Sequence, residues 1–216
     1  MANFGYADLR IVNPYEVAFR EAVSAVGGAH VLKAARLFNN IGDAVADCSL
    51  VAGTTAAQHR ELQQSLERVD AGMDRVRAHA GRAALLFGSE KFGLSNDDLS
   101  YCHTLIRIPT VPGTPSMNLG QAVAVCLWEL YRGELDRGGA PTPRAAKRNA
   151  VQGSDAEQIT RMLLEVLQNS GYTNRITSVS TEQKIRRWVR RMNLTARDAP
   201  LLLGILRQVL WKFDKQ

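Results

Sequence analysis

The stretch Ala83-Ala84-Leu85-Leu86-Phe87-Gly88-Ser89-Glu90-Lys91-Phe92-Gly93-Leu94-Ser95-Asn96-Asp97-Asp98 holds the repeating unit of the fold. The unbroken apolar run Ala83 to Phe87 predicts a strand buried on both faces. Gly88 and Gly93 bracket a polar loop in which backbone can approach a ligand closely. Ser95 then opens a short helix, with Asp97 and Asp98 at its positive end. A buried strand, a glycine loop and a helix start, in that order, is the building block of a parallel sheet with its ligand loops at the carboxyl ends of the strands.

The same unit recurs on both sides. Upstream, Leu9-Arg10-Ile11-Val12 and Ser49-Leu50-Val51-Ala52-Gly53 read as buried strands, and Ala34 to Phe38 as a weaker one. Downstream, Thr104-Leu105-Ile106-Arg107-Ile108-Pro109 is a further strand. Segments of helical period lie between them. Tyr15 to Val26 has Val17, Ala18, Ala22 and Ala25 on one face, and Asn39 or Asn40 caps a helix running to Ala46. Glu61 to Ala80 reads as one amphipathic helix with an inner stripe of Leu62, Leu66, Val69, Met73 and Val76. Ser116 to Tyr131 is a long apolar helix with Ser116 as its cap and Asn118 in its first turn. The fold class is therefore α/β, a parallel sheet flanked by helices.

Arg137-Gly138-Gly139-Ala140-Pro141-Thr142-Pro143-Arg144 is a linker by composition. Beyond it the pattern is helical only. Ala156 to Gln168 carries Ile159, Leu163, Leu164 and Leu167 as its stripe, and Gly171 stops it. Thr181 opens a second helix containing Arg186, Arg187, Trp188, Arg190 and Arg191, and Thr195 caps a third that runs to about Phe213. The expected organisation is an α/β domain over residues 1–137, a linker over 138–155 and a small all-helical extension over 156–216.

Composition bounds the function. Of the 216 residues, 45 % are hydrophobic and 22 % charged, which is ordinary for a packed globular chain. No apolar run is long enough to span a bilayer, and no secretory leader is recognisable, so a cytoplasmic protein with no membrane partner is expected. Cys48, Cys102 and Cys126 are odd in number and irregularly spaced, so they read as small buried hydrophobes rather than a disulfide framework. His30, His59, His79 and His103 show no ligand spacing with them, and no metal is expected. The net charge of +6 is uneven: residues 131–216 hold 16 Lys and Arg against 8 Asp and Glu, leaving residues 1–130 at −2. That asymmetry points to an anionic partner for the extension. Arg186, Arg187, Arg190 and Arg191 are its candidate contacts, read as one exposed helix face with Trp188 packing inward.

Three loops at strand ends are the candidate site: Gly53-Thr54-Thr55-Ala56, Phe87 to Leu94, and Ile108 to Leu119. The third contains Pro109, Pro112, Gly113 and Pro115, which make it stiff. Neither a phosphate-binding G-x-x-x-x-G-K-[ST] loop nor a G-x-G-x-x-G fingerprint is present, which disfavours nucleotide hydrolysis and a dinucleotide cofactor, and there is no G-x-S-x-G elbow.

Leu86-Phe87-Gly88-Ser89-Glu90-Lys91-Phe92-Gly93-Leu94 resembles the F-G-x-E-x-x-G-L motif of SpoU/TrmH-type RNA 2′-O-methyltransferases of the SPOUT superfamily. Ile108-Pro109 followed by Ser116-Met117-Asn118-Leu119, Ala122 and Val123 resembles the next motif, I-P…S-L-N-x-x-x-A-V. Asp8 to Pro14 and Val51 to Ala56 are similar to the TrmJ group within that family. So are Asn169-Ser170-Gly171-Tyr172, the Arg186-Arg187 helix and Leu202-Leu203-Gly204-Ile205-Leu206. The resemblance implies a trefoil knot in the C-terminal part of the sheet and a homodimer. It also implies S-adenosylmethionine (SAM) as cofactor, lined by Thr54, Thr55, Ala56, Gly88, Ile108, Ser116 and Met117. Glu90, Ser116 and Asn118 then match polar positions linked to catalysis or to holding the site together. The expected activity is methyl transfer to a ribose 2′-oxygen of RNA, in tRNA around the anticodon loop, with rRNA as the other substrate class.

One departure bears on activity. The family's first motif, N-x-G-x-x-A-R, follows the first strand, and its Arg is linked to activation of the ribose hydroxyl. Met1-Ala2-Asn3-Phe4-Gly5 is similar to the end of the helix after that strand, so the strand and the motif are expected before residue 1. Asn3 and Gly5 mimic the motif's start, but Tyr6-Ala7-Asp8-Leu9 turns into the next strand. The edge beside Leu9 to Val12 is then expected to lack a neighbour, and Arg10, Arg20 and Arg107 are the nearest replacements for the Arg. The alternative function is an RNA- and SAM-binding module impaired in turnover.

Overall fold

The computed structural model describes residues 1–14, 27–56, 62–136, 150–173 and 178–215. The expected helix Tyr15–Val26 and the linker Arg137–Arg144 lie outside them. Six strands are described: β1 (Arg10–Val12), β2 (Arg36–Phe38), β3 (Leu50–Thr54), β4 (Leu66–Arg68), β5 (Ala83–Leu86) and β6 (Thr104–Arg107). The helices are α1 (Ala29–Lys33), α2 (Ile41–Ala44), α3 (Val69–Ala78), α4 (Asn96–Ser100), α5 (Leu119–Leu135), α6 (Gly153–Asn169), α7 (Ser178–Arg191) and α8 (Asp198–Phe213). All described strand pairings are parallel: β1 with β2, and a four-stranded sheet in the order β4-β6-β3-β5. The expected parallel sheet flanked by helices is what forms. β1 pairs on one side with β2, and its other edge has no strand partner among the described residues.

Strand alternation builds the core. Consecutive side chains on a strand point to opposite faces. Val51 and Leu105 therefore join Val45, Cys48, Leu94, Leu99 and Cys102 on one face of the sheet. Ala52 and Ile106, one residue further along, join Val69, Met73, Cys126, Leu127 and Leu130 on the other. β3 is fully buried from Leu50 to Gly53, as its apolar run requires. All three cysteines are free and buried, each filling one of these clusters.

Local capping follows the sequence in most places. Ser95 accepts from Asp98 N while the Asp98 carboxylate accepts from Ser95 N, a reciprocal capping box at α4. Asn40 caps α2 through Asp43 N at 2.8 Å. Gly171, at φ +75°, lies just past the end of α6 as a helix-stopping glycine does.

Two readings need correction. Glu61 to Ala80 is not one helix: Leu66–Arg68 is β4, an edge strand on β6 in register Leu66 with Leu105, and the helix starts only at Val69. The apolar residues that mimic a helical stripe are divided, with Leu66 39 % exposed while Val69 and Met73 enter the core. Ser116 does not cap the apolar helix. That cap is Asn118, and the helix runs on to Leu135.

The extension packs around its own cluster of Val151, Ala156, Ile159, Val189, Ala199, Leu203 and Leu206. It joins the α/β part through the start of α6. Gly153 N donates to Cys48 O at 2.9 Å and Ser154 N to Ala46 O at 2.8 Å. Amides with no partner inside their own helix are thus satisfied by the neighbouring unit. A Cβ on Gly153 would stand 2.3 Å from Val45 O, so this docking needs glycine.

Candidate active site

β3 lies between β5 and β6, so these three neighbouring parallel strands deliver their ends to one lip of the sheet. Thr54 Oγ1 donates to Leu86 O at 3.0 Å, tying the end of β3 to the end of β5. Thr55 N donates to Ile106 O at 3.0 Å, tying it to β6. Thr54, Thr55, Ala56, Gly88, Ile108 and Met117 are all half-buried, and Ser116 is exposed.

The loop after β5 folds back on itself. Gly93 N donates to Ser89 O at 2.8 Å and Phe92 N to Ser89 Oγ at 3.2 Å. A Cβ on Gly88 would lie 2.0 Å from the carbonyl carbon of Gly93 and 2.3 Å from Leu94 N, so only glycine fits. Gly93, at φ +66°, makes the left-handed turn that closes the loop.

Asn118 links this loop to α5. Its Oδ1 accepts from Gly120 N at 2.9 Å and Gln121 N at 3.3 Å, capping the helix. Its Nδ2 donates to Glu90 Oε1 at 2.7 Å. The amide orientation is fixed by this division of labour, since the oxygen faces backbone N–H and the nitrogen faces a carboxylate. Two motif loops, 28 residues apart in sequence, are therefore braced by one side chain. Sequence reading placed Asn118 in the site but gave the cap to Ser116. The signal available was that Asn ranks with Ser as a helix cap.

Of the arginines considered as stand-ins for the motif-one residue, Arg10 is committed elsewhere. It is paired with Asp8 at 3.0 Å and with Asp47, whose carboxyl its hydrogen bond holds far below the usual range. Arg107 is exposed at the end of β6, on the lip itself. Arg20 lies outside the described residues.

The four arginines of α7 do not form one solvent-facing row. Arg186 and Arg190 are each 3 % exposed. Arg186 contacts Glu157 at 3.0 Å, Glu182 at 2.5 Å and Asp97 at 3.4 Å, and lies 4.3 Å from the Tyr101 ring centroid. It clamps α7 to α6 and α4. Arg187 donates to Asn96 O at 3.0 Å and Gln63 Oε1 at 3.1 Å, and Arg191 is exposed. Trp188, expected to pack inward, is 44 % exposed. The physical reason is that Ile185 and Val189 set the buried side of α7, and Arg186 and Arg190 share it. Among the described residues no group of His, Cys, Asp or Glu is arranged to hold a metal ion.

The profile of the SpoU rRNA Methylase family matches residues 1–128. The chain belongs to this family. Its whole length aligns, at 32 % identity over 220 residues, with 84 % of the tRNA (cytidine/uridine-2′-O-)-methyltransferase TrmJ of Yersinia pestis (strain Pestoides F). The TrmJ of Pectobacterium atrosepticum is 30 % identical over 217 residues, covering all of this chain and 90 % of that protein. Among solved structures, TrmJ from Z. mobilis ZM4 superposes with a TM-score of 0.83 at 26 % identity, over 97 % of this chain and 89 % of that one. The superposed length takes in the helical extension, so the SpoU domain and its tail share an arrangement with a TrmJ.

Proposed function

We propose that this chain is a SAM-dependent RNA ribose 2′-O-methyltransferase acting on tRNA, around the anticodon loop. The observation that carries the proposal is the Asn118–Glu90 hydrogen bond, which joins the two SpoU motif loops at the lip where β3, β5 and β6 end. The TrmJ relatives, which are tRNA (cytidine/uridine-2′-O-)-methyltransferases, support tRNA as substrate class.

The lip fits the cofactor in kind. Thr54, Thr55, Ala56 and Gly88 are small and half-buried, so backbone can lie against a flat purine and a ribose, and Ile108 and Met117 add apolar surface. When bound, SAM supplies an electrophilic methyl on a positive sulfonium. The protein's part is to bring the ribose 2′-oxygen into line with that methyl and to take the proton the oxygen loses. Asn118 is a positioning residue for Glu90, whose carboxylate is the proton acceptor, and the exposed Ser116 hydroxyl holds the ribose. The C-terminal part of the sheet threads the family's trefoil knot, the functional unit is a homodimer, and the work is cytoplasmic. A tilted aromatic group of Phe4, Trp128 and Tyr131, with Trp128 44 % exposed, supports a partner at that face. In the extension the RNA contacts are Arg187 and Arg191. Arg186 and Arg190 act from inside by holding α7 in place.

The test is calorimetric titration of the purified chain with SAM, followed by transfer from labelled SAM to unmodified tRNA. Saturable binding and label in tRNA ribose are expected. A folded chain that binds no SAM at millimolar concentration overturns the proposal. Binding without transfer leaves the RNA- and SAM-binding module in its place.

A further inference from the structure

Arg190 presents a chemical problem that the active site does not explain. Its side chain is nine-tenths buried, and neither Nη1 nor Nη2 has a hydrogen-bond partner among the described residues. Its nearest carboxylate oxygen, Glu157 Oε2, is 3.9 Å away. That carboxylate is already taken by Arg186, which reaches both oxygens through Nε at 3.1 Å and one through Nη2 at 3.0 Å. Buried guanidinium nitrogens without acceptors are costly, and in folded proteins they signal a water or an ion.

Arg190 also lines a cavity of about 70 Å³ between the α/β part and the extension. Ser49 and His103 contribute from the first, and Asn193 and Thr195 from the second. His103 Nδ1 accepts from Val51 N at 3.0 Å, so its proton sits on Nε2. Burial, with Arg190 adding to it, pushes His103 down to about 3, so the ring is neutral. The neighbouring Cys102 thiol is pushed up to about 12 by burial and is also uncharged. Arg190 is thus the one charged group among the described lining residues, and its charge is positive. One ordered water needs only about 10–15 Å³ by the same measure, so the space admits a tetrahedral oxyanion or several waters.

We propose that this cavity is a site for a small free oxyanion of the inorganic phosphate or sulfate kind, held by Arg190 where the helical extension docks on the sheet. It is separate from the methyl-transfer site. Ser49 and His103 precede β3 and β6, whereas the cofactor loops follow those strands. The small volume selects a free anion over a phosphate in an RNA backbone. Its effect is to fasten the extension: Val151 N donates to Leu194 O at 2.9 Å beside the cavity, and Gly153 docks on Cys48 next to it.

The experiment is thermal melting of the full chain in rising sodium phosphate or sulfate, against sodium chloride at matched ionic strength. A saturable rise beyond chloride is expected, about 5–10 °C at one hundred times Kd. Arg190→Met should abolish that rise, while Arg191→Met, on the exposed side of α7, should keep it. No rise beyond chloride overturns the proposal, and so does the same rise in Arg190→Met. Should Arg190→Met not fold, wild-type crystals soaked in selenate decide. An anomalous peak within hydrogen-bond distance of Arg190 Nη supports the site, and a cavity holding water alone overturns it.

Discussion

Replacing Asn118 separates the structural from the chemical use of one side chain. In Asn118→Ala the helix cap to Gly120 N and Gln121 N and the bond to Glu90 are lost together. Loss of a cap costs about 1 kcal/mol, within a range of roughly 0.5–2. The Glu90 bond is exposed and adds little to stability. In a chain of this length each kcal/mol moves Tm by about 2–4 °C, so a drop of about 1–8 °C is expected. Asn118→Asp is the sharper variant. Aspartate caps as well as asparagine does, and it carries charge of the favourable sign for a helix start, so Tm should stay within about 2 °C of wild type. It cannot donate to Glu90, however, and it sets a second carboxylate against one that sat 2.7 Å from the amide nitrogen. Glu90 is then pushed away from its braced position. The assay is initial-rate methyl transfer from labelled SAM to unmodified tRNA, with melting curves on the same preparations. Transfer by Asn118→Asp should fall at least about 100-fold, since misplacing a reacting group by about an ångström costs that much. An Asn118→Asp chain that melts like wild type and transfers methyl at more than a tenth of its rate would refute the bracing argument.

Glu90→Gln keeps an acceptor for Asn118 but removes the base. The rate constant at saturation should fall about 100-fold or more with SAM affinity unchanged in calorimetry, and an unchanged rate assigns proton acceptance elsewhere. Ile106→Ala empties a fully buried position at the contact of β6 with α3, at a cost of about 2–5 kcal/mol read by urea unfolding. His103 gives a pH dependence. Its folded pKa of about 3 lies below the unfolded value, so the unfolded chain binds the extra proton below about pH 6.5. Stability is therefore complete above that pH and falls toward pH 3, by at most about 1.4 kcal/mol per unit from this group. His79, also lowered by burial, adds in the same direction. His103→Gln should flatten the urea midpoint between pH 7 and 5, and an equally steep fall in the variant removes the assignment. Reversing Arg187 and Arg191 to Glu should weaken tRNA binding and lower its salt slope by about 1.4–1.8, and an unchanged slope would make them bystanders.

The parallel sheet was legible because its strands are unbroken apolar runs, and such runs have few other uses. Val51-Ala52 and Leu105-Ile106 are buried on both faces and announce it residue by residue. β4 was not legible. Leu66-Glu67-Arg68 is three residues long, has one partner strand, and keeps its outer residues exposed. What makes it a strand is backbone pairing with β6, together with Thr104 Oγ1 donating to Glu67 Oε1 at 2.7 Å, both 37 to 39 residues away in sequence. Local periodicity reports side-chain faces and is blind to such a contact. The site divides the same way. The three loops could be read because glycines and prolines mark them, whereas the Asn118–Glu90 brace is a tertiary distance with no local signature.

The basic tail shows where charge counting stops being informative. The excess in residues 131–216 is real, but a helix distributes its arginines over faces, and spacing alone does not say which face is covered. Arg186 and Arg190 stand four apart and fall on the side of Val189, which is 1 % exposed. Arg187 and Arg191, also four apart, fall on the other side. Arg186 is drawn inward because α6 and α4 offer Glu157 and Asp97 there, and α7 supplies Glu182 one turn back. Glu182 and Arg186 at i and i+4 were visible in the sequence as a favourable pair, and that was the one local hint that Arg186 had a protein partner. Arg187 is half-buried, and among the described residues the exposed cations of the extension are Arg161, Lys184, Arg191, Arg197, Arg207, Lys212 and Lys215. They are spread over three helices and the residues flanking the last, rather than aligned on one. On the proposed function, an anionic ligand of the size of a tRNA would be met by the folded three-helix unit as a whole. Loosening α7 by removing Arg186 should weaken tRNA binding in a titration as much as removing an exposed arginine does, though Arg186 is buried against Glu157 and Glu182.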